Sequence, residues 1–373
     1  MTRDSAQLAF VRQSLAAARG VAPPPSSETR AGDIEAITTE ADAAPAPRPP
    51  QDAFIADSLE RADANLQRDP GVDDAARAVA LDAAKQAYGR LRDRSGINLA
   101  DVLTLEAIQV FDGSRPAVLF GPDGRIDPAD PELGTWAEDI ALHGDDIAAL
   151  AGQVALIRGN GGPQGSGFRA GPGLIVTNRH VLEAIAAETP GGWQLAEDAE
   201  AVFATGAEAI TGVAFAGALP IGGAIDLSRL DAAVLRVAGA APGAALDGRL
   251  GAGVMTRDRP LHVIGYPLGW GDAAGLSGAE RLYRGKIGKL CWSPGTLTVT
   301  PGQAPDDARR EWAFGYDIST LPGNSGSVVA DLRDNPAVAL GLHIGGATQL
   351  GNWAHWLAGA SNLLRPAGLE FET

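Results

Sequence analysis

The sequence predicts a mainly β body of sandwich or barrel type, preceded by a mostly helical region. Three observations carry this. From Val154 onward, short apolar and β-branched runs alternate with Gly and Pro at close spacing: Val154 to Ile157, Leu174 to Thr177, Val234 to Val237, Leu261 to Tyr266, Leu297 to Thr300, Val328-Val329 and Val338 to His343. Many short strands separated by turn signals are the pattern of a sandwich or a closed barrel. Ahead of them, Phe54 to Arg94 and Pro131 to Gly152 place apolar residues at helical spacing. Finally, 373 residues with 45% hydrophobic and 20% charged content supply a sizeable core.

The elements follow in chain order. Leu8, Val11 and Leu15 share one face of a short amphipathic helix. The first twenty residues hold no continuous apolar stretch, so no secretory signal is expected. Residues 21–52, rich in Ala, Pro, Ser and acidic residues, read as a disordered tether, giving a segment 1–52 of short helix and tether. Residues 53–150 read as a small α+β accessory region. Asp73-Asp74 starts a helix that Gly96 ends, and Val79, Leu81, Ala84 and Leu91 are its apolar positions. Strands are expected at Leu105 to Phe111 and Ala117 to Phe120, each followed by a hairpin-type turn at Asp112-Gly113 or Pro122-Asp123-Gly124. A helix over Pro131 to Gly152 should bury Trp136, Ile140, Ile147 and Leu150. The β body then spans 151–368. Gly159 to Gly167 lacks the Gly-Lys-Ser/Thr ending of a phosphate loop and reads as a flexible turn before Ser166-Gly167-Phe168.

Charge and cysteine content exclude several function classes. A formal net charge of -16 is ill suited to tracking a phosphate backbone and repels anionic membranes. No run of 18 apolar residues is present, so no membrane span is expected. A single cysteine, Cys291, cannot form an internal disulfide, which favours a reducing compartment or a cysteine-poor lineage, and a cytoplasmic setting is expected. Cys291 itself reads as a small buried hydrophobe. No His/Cys/carboxylate cluster stands at ligand spacing, so neither a metal nor another cofactor is expected.

The chemistry concentrates in three short segments. Ser325 lies in Pro322-Gly323-Asn324-Ser325-Gly326-Ser327, His180 closes Thr177-Asn178-Arg179-His180, and Asp231 precedes Ala232-Ala233-Val234-Leu235. A serine hydroxyl needs a neighbouring base, and histidine titrates near neutrality. The histidine in turn needs a carboxylate to hold its tautomer and stabilise its cation. His180, Asp231 and Ser325 supply one of each, in the order His, Asp, Ser rather than the order of the α/β-hydrolases or subtilisins. His180 and Asp231 should sit at strand boundaries. The amides of Gly323 and Ser325 are placed to receive a developing oxyanion, with Gly323 permitting the backbone turn this needs. His143, His262 and His355 have no comparable context and read as structural.

These segments resemble those of the bacterial trypsin-like serine proteases, and are most similar to HtrA and glutamyl endopeptidase domains. The resemblance covers residues 150–368. It implies two six-stranded β-barrels of chymotrypsin type, with His180 and Asp231 from the first and Ser325 from the second. Tyr316-Asp317-Ile318-Ser319-Thr320 and Gly341-Leu342-His343-Ile344-Gly345-Gly346 further resemble the glutamyl endopeptidase pattern. That likeness implies that Thr320 and His343 line the primary pocket and bind an acidic side chain. A hydroxyl and an imidazole can both donate to a carboxylate. The acidic residue that gives trypsin its basic selectivity is replaced by Ser319. Glutamyl endopeptidases also place a freed N-terminal amine in that pocket, whereas here a long extension precedes the barrels.

The expectation is therefore an endopeptidase acting on protein or peptide substrates through an acyl-enzyme. The N-terminal region would regulate it or bind a regulatory protein partner. Nucleic acid and membrane partners are not expected. A catalytically silent scaffold on the same fold, and an esterase using the same triad, are the alternatives.

Overall fold

The computed structural model describes residues 52–68, 73–93, 114–218, 227–238, 250, 255–268, 285–304, 310–347 and 351–371. The expected short N-terminal helix, the tether and the strand at 105–111 lie outside the described residues. The chain divides into two compact units. One holds residues 1–116, 270–284 and 348–350, and the other holds 117–269, 285–347 and 351–373.

Within the first unit, α1 (Asp52–Arg68) and α2 (Asp74–Asp93) pack on one another. Helix α2 begins at Asp74, as the Asp73-Asp74 pair predicts, with Asp74 in its first turn and Arg90 and Arg92 in its last, favourable to the helix dipole at both ends. Ala62, Leu66, Ala84, Ala87 and Tyr88 are buried. Across the pair Ser58 Oγ meets Tyr88 Oη at 3.0 Å, and Arg77 meets Asp63 at 3.2 Å.

The second unit is mainly β. It opens with β1 (Val118–Leu119), a 3-10 turn at Pro131–Trp136 and α3 (Ala137–Ala151), which buries Ile140, Ile147 and Leu150. A first closed barrel then forms from β2 (Val154–Gly159), β3 (Gly162–Gly171), β4 (Leu174–Thr177), β7 (Glu200–Phe203), β8 (Gly206–Ala216) and β9 (Ala233–Val237), in the order β2-β3-β4-β9-β8-β7. Helix α4 (Arg179–Ile185) follows β4, and the hairpin of β5 (Ala186–Thr189) and β6 (Gly192–Leu195) lies outside the barrel. Ile157, Ile175, Leu182, Phe203 and Leu235 form its core.

The second sheet is built from β10 (Pro260–Gly265), β11 (Cys291–Val299), β12 (Ala313–Tyr316), β13 (Val328–Asp331), β14 (Ala339–Ala347) and β15 (Gly351–Trp356). Its order is β11-β10-β13-β14-β15-β12, and pairing of β12 with β11 closes the ring into a second six-stranded barrel, with β1 added outside β11. Leu261, Phe314, Tyr316, Val329 and Leu340 fill it. Closure leaves these strands without free edges. Each run read from the sequence between Val154 and His343 overlaps a strand, with Tyr266, Thr300 and Val338 falling one residue outside β10, β11 and β14.

The glycine-dense stretch is not a flexible turn. Gly162–Gly171 is a ten-residue strand paired with β2 on one side and β4 on the other. A ladder satisfied at both edges by backbone groups does not need an apolar run to hold it. Only Asn160-Gly161 turns the chain, with φ of 52° and 83°, and Asp198 accepts from both amides at 2.8 Å.

Candidate active site

His180 sits in the first turn of α4, three residues beyond the end of β4 rather than at the strand end itself. The helix start is held by buried groups. Asn178, at the cap position, turns its amide away from the helix and donates to Asp231 O at 2.8 Å. Arg179 is buried beside it, paired with Glu183 and Glu188 at 2.7 Å each, bonded to Gly217 O and lying 5.1 Å from the Trp193 ring. A buried guanidinium with its donors satisfied resists displacement, because moving it would leave an uncompensated charge.

Asp231 precedes β9 and is 2% exposed. Its Oδ2 lies 2.6 Å from His180 Nδ1, and its Oδ1 accepts the His180 amide at 3.0 Å. One carboxylate therefore fixes both the ring and the backbone of His180. Burial pushes the Asp231 carboxyl up. The hydrogen bond and charge of His180, then the field of His355, outweigh that and leave it below the usual carboxylate range.

The segment around Ser325 is two consecutive turns. Asn324 N donates to Leu321 O at 3.0 Å, with Pro322 second and Gly323 third at φ +95°. This is the type II turn that proline followed by glycine favours. Ser327 N then donates to Asn324 O at 2.8 Å, with Gly326 third at φ +85°. A Cβ on Gly323 would lie 2.3 Å from Leu268 Cγ, and one on Gly326 would lie 2.0 Å from Ser166 O, so both positions demand glycine sterically as well as conformationally. Between them Ser325 is partly exposed. Its carbonyl accepts Ser166 N at 2.8 Å, and its hydroxyl donates to Ile344 O at 3.3 Å. Among the described residues no hydrogen bond joins Ser325 Oγ to His180. The structure thus makes the His180–Asp231 arm and turns the serine hydroxyl to the start of the Ile344-Gly345-Gly346 segment.

Thr320 and His343 each belong to a buried polar pair in the second barrel. Thr320 Oγ1 donates to Asn352 Oδ1 at 2.8 Å, and Asn352 Nδ2 donates to Ile318 O at 2.5 Å. His343 Nδ1 lies 2.5 Å from Tyr316 Oη. Tyr316 and Asn352 face each other across β12 and β15, while His343 faces Ala354 across β14 and β15. Asn352 was not identifiable from sequence: it lies in no motif, and only strand pairing brings it to Thr320.

His355, read as structural from its context, is buried and reaches from β15 of the second barrel to the first, where its Nε2 accepts the Asp231 amide at 2.8 Å. An accepting Nε2 places the proton on Nδ1 of a neutral ring. The Trp312 backbone supports the protonated ring against burial, and the ring stands edge-on to the Trp312 side chain at 6.2 Å. No local sequence signal marks a histidine that binds through tertiary contact alone.

Three buried histidines make stability pH-dependent. Burial lowers His262 and His355 from 6.5 to about 4, and burial with the field of His180 lowers His343 to about 3. Between those values and 6.5 the unfolded chain binds protons that the folded chain refuses. Stability is therefore whole above pH 6.5 and declines as pH falls toward 4. The slope should approach about 1.4 kcal/mol per pH unit for each histidine kept neutral. Urea melts across that range check it, and a midpoint indifferent to pH would contradict burial of neutral rings.

With this geometry in place, comparison with known proteins is direct. Residues 165–340 match the trypsin-like peptidase domain. A probable serine protease from Lysobacter enzymogenes is 32% identical over 299 residues, covering 72% of this chain and 76% of that protein. Among solved structures, the active form of the Rv3671c protease from M. tuberculosis shares 17% identity at a TM-score of 0.40, over 62% of this chain and 87% of that one. A Glu endopeptidase in complex with MPD shares 19% identity at a TM-score of 0.40, over 58% of this chain and 91% of that one. The long match to the Lysobacter protein, joined to two closed barrels, makes this chain a member of the trypsin-like serine protease family.

Proposed function

We propose that the protein hydrolyses peptide bonds with Ser325 as nucleophile, His180 as general base and Asp231 as its orienting carboxylate. The observation that carries this is the 2.6 Å contact of His180 Nδ1 with a buried, charged Asp231. It leaves Nε2 as the basic nitrogen. Rotation of Ser325 about χ1, between staggered wells, would carry its hydroxyl from Ile344 O toward Nε2. Bonds of this kind commonly tighten only when substrate is bound. Oγ then attacks the scissile carbonyl carbon as its proton passes to His180. The carbonyl oxygen becomes an anion facing the Gly323 and Ser325 amides. Collapse breaks the C–N bond, and the leaving amine takes the proton from His180. Water repeats the sequence on the acyl-enzyme and frees Ser325.

For specificity we infer an acidic residue, glutamate foremost, before the scissile bond. The neutral imidazole of His343 can donate to a carboxylate, and the Thr320 hydroxyl can do so by exchanging its 2.8 Å bond to Asn352 Oδ1 for one to the substrate. If Tyr316 donates to Nδ1, the His343 proton stands on Nε2 as that donor. Peptides with Glu, Asp, Arg or Leu at this position should rank with Glu first, by kcat/KM. Thr320→Val should cut the Glu-over-Leu ratio about tenfold, the worth of one hydrogen bond to a charged group. Preference for Arg would overturn this reading while leaving the proposed triad untouched.

The proposal extends to setting and control. A protease domain over residues 151–368 would follow a tether and an accessory region over 53–150 that regulates or recruits it. The single cysteine supports a reducing, cytoplasmic compartment. Among the described residues no helix is long and apolar enough to cross a membrane. Equal fluorophosphonate labelling before and after limited proteolysis within residues 1–113 would remove the regulatory part of this reading.

A further inference from the structure

We propose that Ser166, on β3 of the first barrel, is a positioning residue for the oxyanion pocket: its buried hydroxyl locks the peptide after Gly323 from behind. The proposal rests on the reading of Gly323 and Ser325 as the pocket's donors.

Ser166 is fully buried and every polar group it carries has a partner. Its amide donates to Ser325 O at 2.8 Å, and its carbonyl accepts Thr177 Oγ1 at 2.7 Å. Its hydroxyl accepts the Tyr266 amide at 2.9 Å and donates to Gly323 O at 2.8 Å. A hydroxyl that accepts one bond and donates another is polarised by both, which strengthens the pair. This relay runs from the segment after β10, through the first barrel's Ser166, to the turn that holds the nucleophile.

The turn needs such backing. Gly323 at φ +95° has no side chain to restrain it, and a glycine explores more backbone conformations than any other residue. Two contacts remove that freedom. Leu268 N donates to Pro322 O at 2.7 Å, holding the peptide that carries the Gly323 amide. Ser166 Oγ holds the Gly323 carbonyl, and so the following peptide. In a trans peptide the N–H points opposite the C=O, so pinning Pro322 O on the Leu268 side aims the Gly323 amide the other way. Asn324 O, tied to Ser327 N at 2.8 Å, aims the Ser325 amide in the same manner. Without the Ser166 hydroxyl, Gly323 O and the Tyr266 amide both lose a partner, and the peptide after Gly323 is held only at its other side, by the turn bond from Asn324 N to Leu321 O at 3.0 Å.

Loss of one oxyanion donor typically costs about 10²- to 10³-fold in kcat. Misaiming a donor should cost less. Ser166→Ala is therefore expected to lower kcat by about ten- to hundred-fold with KM within about twofold. The discriminating probe is a pair of peptide substrates, an oxygen ester and its thionoester, with the residue the enzyme cleaves best. Wild type should strongly prefer the ester, because sulfur is a larger and weaker acceptor. In Ser166→Ala that preference should shrink by about the same factor as kcat. Active-site titration and thermal melts normalise both enzymes to folded protein. Ser166→Cys, of similar size with a weaker donor, should lie between the two and supplies the measurement if the alanine variant fails to fold. Unchanged kcat and unchanged preference in either variant, with wild type discriminating, overturns the proposal for Ser166. Failure of wild type itself to discriminate overturns instead the assignment of Gly323 and Ser325.

Discussion

Ser325→Ala should abolish peptide hydrolysis, by about 10⁴- to 10⁶-fold in kcat, as removal of a triad nucleophile does elsewhere. No neighbouring group can replace it. The chain's one thiol, Cys291, is buried on β11, and burial pushes it up to about 12, so it carries almost no thiolate at neutral pH. The fold should survive the change. The lost hydroxyl makes one bond, to Ile344 O at 3.3 Å, whereas the backbone of the segment is held by Ser166 N on Ser325 O and Gly326 N on His343 O. Thermal melting within a degree or two of wild type, together with loss of fluorophosphonate labelling, is the expected pair of results. Full turnover by the variant would remove Ser325 from the mechanism.

Asp231→Asn should cost about 10⁴-fold in kcat at neutral pH, with KM little changed. An amide at this position is nearly the same size, and its oxygen can still accept the His180 amide. The group facing His180 Nδ1 is then a donor. The ring answers by accepting at Nδ1 and carrying its proton on Nε2, the nitrogen proposed to take the serine proton. The residue's backbone is pinned independently, its amide on His355 Nε2 and its carbonyl by Asn178 Nδ2, each at 2.8 Å. Overall stability should therefore fall far less than activity. Equal losses of kcat and of folded protein would mean that Asp231 serves structure rather than catalysis.

Much of this was legible in the chain itself. Val154 to Ile157, Leu174 to Thr177 and Val234 to Val237 are rich in β-branched residues and fall in three strands of the first barrel, because such side chains pack well on a pleated, half-buried surface. Asp73-Asp74 marked the start of α2 for the electrostatic reason given above. Gly323 marked a backbone turn ahead of Ser325, because glycine accepts the positive φ found there. His180 and Asp231, 51 residues apart, could be paired on paper because each chemistry demands the other, and they meet at 2.6 Å.

Other features left no local trace. Gly162–Gly171 looks like a loop by composition and becomes a strand because β2 and β4 supply partners for its backbone. His355, Asn352 and Ser166 carry no motif. They matter through bonds to residues 124, 32 and 157 positions away. Residue types and their spacing determined which groups do chemistry and which segments are strands, since both depend on local sterics and intrinsic reactivity. Barrel closure decided what holds those groups in place, since a hydrogen bond across two barrels depends on where the folded chain brings its distant parts.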